Sequence, residues 1–180
     1  ITFDELLRFC VPKGWFLPVT PGTKFVTIGG AIANDIHGKN HHKVGSFGNF
    51  VKKINLIRSD KVSYTLTSEV NRELYNATIS GLGLTGYIKS AEIELKKINN
   101  EKILQQTVKF QNIDHYFEIE KKFQESQYTV AWIDCMSRNN KQGRGIFIAG
   151  DHVKETSNRM RFEPKFKINI PFSMPKFILR

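Results

Sequence analysis

Apolar and polar positions change their period several times along the chain, and each change predicts an element. Thr2-Phe3-Asp4-Glu5 has the form of a capping box, opening a short helix through Phe9 that Pro12 and Gly14 stop. Residues 15–19 read as extended and Pro21-Gly22 as a turn, and residues 26–33 pass from a short strand into a glycine-started helical turn. Val62, Tyr64 and Leu66 alternate with Ser63, Thr65 and Thr67, so 51–57 and 62–67 predict a hairpin around Ser59-Asp60-Lys61. A helix follows over 69–79, with Leu74 and Ala77 or Thr78 facing inward. Alternation returns in 87–95 through Ala91, Ile93 and Leu95, and in 103–110 with Leu104, Val108 and Phe110 on one face. Ile113, Tyr116, Phe117 and Phe123 fit one side of a helix, and 127–134 and 144–149 read as strands. The fold class is α+β, a mixed sheet with flanking helices. The polar turn Ile98-Asn99-Asn100-Glu101 divides it into a domain over 1–98 and a second one beginning at 101 and running to 180.

Residues 29–48 break this patterning. They hold five glycines, three histidines and two lysines in twenty positions, with almost no bulky apolar side chain to bury. Glycines let a backbone approach a ligand, and His, Lys, Asn and Asp supply donors and acceptors to whatever is approached. Thr27-Ile28-Gly29-Gly30 has the makeup of an anion-binding concavity, or equally of a tight turn that needs glycine. His37, His41 and His42 with Asp35 admit a metal site, a structural role, or chemistry at His37. Gly38 and Asn40 argue against the helix that would align the imidazoles. Gly81-Leu82-Gly83-Leu84-Thr85-Gly86 matches the dinucleotide-fold fingerprint in spelling only. That fingerprint needs a strand before it and a helix after it, and here the order is reversed.

The motifs Pro21-Gly22-Thr23, Thr27 to Ala33, Asp35-Ile36-His37-Gly38-Lys39-Asn40-His41-His42 and Gly45-Ser46-Phe47-Gly48-Asn49 follow at fixed spacing. Together they resemble the FAD-binding domain of the vanillyl-alcohol-oxidase type of flavoenzymes, and within it the decaprenylphosphoryl-ribose oxidase family. The likeness covers residues 12–97 well and continues thinly to about Gly145. It implies the second half of a two-part FAD domain followed by the start of a substrate (cap) domain, in an excerpt of a longer polypeptide. It also implies an FAD-dependent oxidoreductase acting on a sugar hydroxyl, a polyprenyl-phosphate-linked pentose, with a soluble lactone or polyol as the alternative substrate. By the same resemblance Gly22, Thr27, Ile28, Gly29, Gly30, Asn34, Asp35, His37 and Ile88 are cofactor contacts. His37 and Lys39 are catalytic, Lys39 and Trp132 face the substrate, and an NAD-dependent keto-reductase takes the product. Half a flavin pocket further implies that 34–48 is mobile or borrows contacts from a neighbouring molecule, and that the apolar faces around Ile28, Ile32 and Ile88 are exposed and favour self-association.

Composition narrows the partners only modestly. Hydrophobic residues make up 40% of the chain and charged residues 24%, as in soluble globular proteins. No apolar run nears the roughly 18 residues of a membrane span, and no leader pattern is visible. Cys10 and Cys135 are too few for a disulfide framework or a cysteine metal site and point to a reducing, cytoplasmic compartment. The net charge of +10 raises nucleic acid or an anionic membrane as partners. The lysines (Lys52, Lys53, Lys96, Lys97, Lys165, Lys167) are scattered among strands, so a solvated basic surface, with peripheral attraction to phosphate head groups, is the reading. Nucleic-acid binding would need exposed aromatics among them, and Tyr64, Phe110 and Trp132 are expected on the apolar sides of their strands.

Overall fold

The computed structural model describes residues 1–138 and 142–162. Lys165, Lys167 and the end of the expected second domain lie outside the described residues. In chain order the elements are α1 (Phe3–Cys10), β1 (Trp15–Phe16), α2 (Ile28–Ala33), α3 (His41–Val44), β2 (Val51–Ile57), β3 (Ser63–Leu66) and α4 (Arg72–Thr78). They continue with β4 (Tyr87–Ile93), β5 (Lys96–Lys97), β6 (Ile103–Phe110), α5 (Ile113–Lys122), β7 (Tyr128–Ile133) and β8 (Gly145–His152). The fold is α+β.

The capping box closes α1 from both directions. Thr2 Oγ1 accepts from the Glu5 N–H at 3.3 Å, and Glu5 Oε2 accepts from the Thr2 N–H at 2.6 Å. That helix drives Phe3 and Leu7 into an apolar cluster with Leu17, Ile32, Phe47 and the inward residues of β2 and β3. The predicted hairpin forms as β2 against β3, and β4 adds to the other edge of β2. A second cluster lies beyond the Ile98–Glu101 turn, where α5 crosses the sheet β6-β8-β7 and buries Phe110, Ile119, Phe147 and Ala149. After β8 the chain returns to the first cluster, where Met160 and Phe162 pack.

Several expectations need correction. Every pairing among the described strands is antiparallel, so the expected mixed sheet does not form; parallel neighbours would need long crossovers that these short connections do not provide. Residues 26–27 form no strand leading into α2, only an isolated bridge of Thr27 to Thr2, because Thr27 already serves as the N-cap. The helix expected from 69 starts at Arg72. Thr67 Oγ1 takes the N–H groups of Glu69 and Val70, and Asn71 sits in the left-handed region. On α5 the inward stripe is Tyr116, Ile119 and Phe123, which leaves Ile113 and Phe117 exposed at its margins. Leu104 is 67% exposed, since α5 covers only the Val108–Phe110 end of that strand face. Ile32 is fully buried, and Ile28 and Ile88 pack against the first cluster, so this apolar set is not the open face expected.

Tyr75 was not singled out by periodicity, yet its ring is buried and its hydroxyl donates to the Val51 carbonyl at 2.6 Å. Tyr75→Phe keeps the ring and strands that carbonyl in the core. It should lower unfolding free energy by about 1–2 kcal/mol, read as a shift of the urea midpoint at constant slope.

Candidate functional site

The first part of the site is the start of α2. Thr27 Oγ1 accepts the Gly30 N–H at 3.0 Å, and the Ile28 N–H is taken by the Ile1 carbonyl at 3.1 Å. The Gly29 N–H lies between them with no partner among the described residues. A Cβ placed on Gly29 would approach only Ile88, at 3.9 Å, and one on Gly22 would meet nothing within 4 Å. The two neighbouring glycines therefore differ. Gly29 offers a free donor beside open space, whereas the Gly30 N–H is committed to the cap. Asn34 closes the other end of the helix, its Nδ2 donating back to the Gly30 carbonyl at 2.9 Å. The Gly81–Gly86 loop hangs from the same helix, with Ser80 and Leu82 N–H groups on the Ile32 and Ala33 carbonyls. It follows α4 and precedes β4, the wrong context for a dinucleotide turn.

The second part is the loop over 35–48, which is closed and not loose. Asp35, at φ 41°, accepts from Ser46 Oγ at 2.7 Å and from the Gly48 N–H at 2.7 Å. The Phe47 N–H bonds the Ile36 carbonyl at 2.8 Å, and buried Asn40 donates to the Pro18 carbonyl at 2.7 Å. The Asp35 carboxylate thus holds the loop. His37 and Lys39 are exposed on it. The His37 ring lies 5.3 Å from that of His41, while His42 bonds the Ser126 carbonyl at 3.0 Å and Lys43 pairs with Glu125 at 2.6 Å. Among the described residues no three metal-ligating side chains cluster.

The third part is a cavity of about 350 Å³ between this loop and the second sheet. Its floor is set by strand alternation. The register Tyr128↔Gly150, Val130↔Ile148 and Trp132↔Ile146 turns Tyr128, Val130 and Trp132 to the face opposite α5. Phe16, Thr20 and Lys39 come over from the part of the chain before β2, tied down where the Thr129 N–H donates to the Lys39 carbonyl at 2.8 Å. Lys39 and Trp132, distant in sequence, therefore line one cavity; His37 does not line it. Trp132 is 71% exposed, which corrects its expected place on an apolar strand side. Alternation places Trp132 on a strand but does not tell which face of that strand α5 covers.

Tyr128 and His152 carry no motif that marks them in the sequence, although period-2 alternation puts Tyr128 on the Trp132 side, and Lys96 is marked there only as one of the scattered strand lysines. Burial pushes the Tyr128 hydroxyl up to about 12, with Asp151 adding in the same direction. Burial also lowers the Lys96 ammonium, which donates to Gln127 at 2.9 Å. The His152 imidazole is held below its usual range by burial and by the charge of Lys96.

These residues fit part of a flavin dinucleotide site. The Gly29 N–H, unpaired and bare of side-chain cover, suits a diphosphate oxygen, and Ile88 beside it offers an apolar contact.

Residues 1–61 match the FAD binding domain family. Decaprenylphosphoryl-β-D-ribose oxidase of Mycolicibacterium smegmatis is 36% identical over 157 residues, covering 86% of this chain and 34% of that protein. An uncharacterized protein of Streptomyces coelicolor is 32% identical over 154 residues, 85% of this chain and 41% of that protein. Human Delta(24)-sterol reductase is 27% identical over 95 residues, 53% of this chain and 18% of that enzyme. The chain spans 34% to 41% of the length of the first two of these curated relatives.

Gly29→Val places a branched side chain where the free N–H opens, in a spot with no backbone clash. The variant should fold with a near-normal melting temperature and lose most bound FAD, measured as the ratio of flavin to protein absorbance. Thr27→Ala should lower stability by about 1 kcal/mol through loss of the cap.

Proposed function

With residues 1–61 matched to the FAD binding domain family, and FAD as its cofactor, we propose that this protein is a flavin-dependent oxidoreductase that converts a secondary hydroxyl of a sugar to a ketone. The sugar in this reading is a pentose carried on polyprenyl phosphate. The observation that carries it is the cavity shared by Lys39 and Trp132, which joins the cofactor-binding part of the chain to the second sheet. The name of the 36% identical relative, a decaprenylphosphoryl-β-D-ribose oxidase, supports the substrate class.

FAD, when bound, supplies the hydride acceptor. The chain's own residues do the rest. The Gly29 N–H holds diphosphate, and the Asp35 carboxylate fixes the loop that presents His37 and Lys39. Lys39 has no ion pair among the described residues, so its ammonium is free to meet an anionic or hydroxylated ligand. The exposed Trp132 ring offers a flat apolar face to sugar C–H groups. His37, on the same exposed loop but outside the cavity lining, is assigned the hydroxyl proton by the family resemblance alone.

In the same reading residues 1–98 form the second half of a two-part FAD domain, and the chain from 101 opens a cap domain. An NAD-dependent reductase consumes the keto sugar. No helix among the described residues is long and apolar enough to cross a membrane. The charge of +10 supplies peripheral attraction to an anionic membrane surface, where a lipid-linked substrate resides.

His37→Ala and Lys39→Ala should keep their yellow flavin absorbance and lose turnover by about 10²–10⁴-fold with a prenyl-phosphopentose. Loss of flavin with normal turnover in the remaining holoprotein would reverse the assignment. A wild-type protein that prefers a soluble aldonolactone would replace the lipid-linked substrate with that one.

A further inference from the structure

Tyr128 and His152 form a hydrogen-bonded pair in the wall of the cavity, and neither has a role in the scheme above. The Tyr128 hydroxyl lies 3.3 Å from His152 Nε2, and His152 Nδ1 lies 3.1 Å from the Asn100 carbonyl oxygen. A carbonyl can only accept, so Nδ1 carries the proton. In the neutral imidazole Nε2 is then a bare acceptor, and the Tyr128 O–H must donate to it. That assignment leaves the Tyr128 oxygen with lone pairs and no proton to offer. The ring positions are held from three sides. Phe16 meets His152 edge-on at 5.4 Å, the two rings of the pair lie 5.7 Å apart, and the Lys96 ammonium sits 5.4 Å from the Tyr128 centroid.

We propose that Tyr128, oriented by His152, is the hydrogen-bond acceptor for one ligand hydroxyl in this cavity, and that the pair selects ligands carrying a hydroxyl there. The inference rests on the reading of the cavity as the substrate site and adds a specificity determinant to it. A second observation points the same way. Glu101 lines the same cavity, and its Oε2 is buried with no donor among the described residues, so the cavity wall there is short of donors. A polyhydroxylated ligand brings several donors; a purely apolar one brings none. Tyr128 acts here as a binding group and His152 as a positioning residue, because His152 works through the proton it draws from Tyr128.

The geometry also fixes how the pair answers to acid. The charged groups around His152 are Lys96 on β5 and Asp151 on β8, with Lys39 and Glu101 lining the same cavity. Burial and Lys96 keep the imidazole neutral at pH 7. Once protonated, Nε2–H must donate to the Tyr128 oxygen, and the tyrosine then turns its own proton outward. Acceptor becomes donor, and a ligand hydroxyl that donated before loses its partner.

The test uses the FAD-loaded protein, chemically reduced and kept anaerobic so that it binds without oxidising. Dissociation constants are measured by calorimetry for a prenyl-phosphopentose and for analogues each lacking one ring hydroxyl. One deoxy analogue should bind wild type about ten- to a hundredfold more weakly. Tyr128→Phe should weaken the parent ligand by the same factor and leave that analogue unchanged. Between pH 8 and pH 7 wild-type affinity should be flat, then fall towards pH 5. In Tyr128→Phe the acid limb should vanish, with flavin content and melting temperature unaltered. Equal losses for every ligand, or no loss, would overturn the proposal. The same comparison with an aldonolactone and its deoxy analogues separates the two ideas. If only the lactone binds, the substrate assignment falls while the Tyr128 comparison still decides this one. If neither binds, both fall.

Discussion

The arrangement of the site depends on one carboxylate. Asp35 closes the 35–48 loop by accepting from Ser46 Oγ and the Gly48 N–H, and it does so from a left-handed backbone. The fit leaves no room for change at the other end. A Cβ on Gly48 would come within 2.8 Å of Asp35 Oδ1 and 2.6 Å of Ile79 Cγ2. Because the loop closes there, Phe47 enters the core at one end and Ile36 packs at the other, and the segment between them runs over the surface, held inward at Asn40 and Val44. His37 and Lys39 are carried on that segment. Their exposure is thus a product of closure below them and not of looseness.

The second determinant is the two-faced character of the β6-β8-β7 sheet. One face is covered by α5 through Phe110, Ile119 and Phe147, a dry and aromatic contact. The other face is left to the cavity and carries aromatic rings with polar tips. A sheet covered on one side only is common for antiparallel strands. What distinguishes this one is that the uncovered side is met by the 35–48 loop, through the Lys39 carbonyl on the Thr129 N–H.

Local chemistry was legible in the chain, and pairing between distant parts was not. The capping box, the β2–β3 hairpin and the order of the later strands all rest on contacts within a few residues, which periodicity and turn residues report. The Thr27–Gly48 region announced itself because its composition cannot build a core. The failures have a common cause. Which side of β7 a helix would cover, which positions on α5 would face inward, and how far that cover would extend along β6 depend on where α5 lies across the sheet. No period in one segment encodes that placement. Tyr128 and His152 escaped notice because each, alone, is an ordinary strand residue. Only the fold puts an imidazole nitrogen beside that hydroxyl.

The docking of the cofactor loop on β7 has a further meaning for how the chain avoids misassembly. β7 is an outer strand of its sheet, and outer strands present unpaired N–H and C=O groups to any passing strand. Here Lys39 meets Thr129 near the start of that edge by a main-chain bond, and His42 and Lys43 meet Ser126 and Glu125 just before it by imidazole and ion pair. The segment whose composition excludes it from any core therefore doubles as a guard rail for the second sheet. A molecule whose loop has not yet closed has an open sticky edge, so correct folding of the cofactor region and colloidal safety of its neighbour are one event.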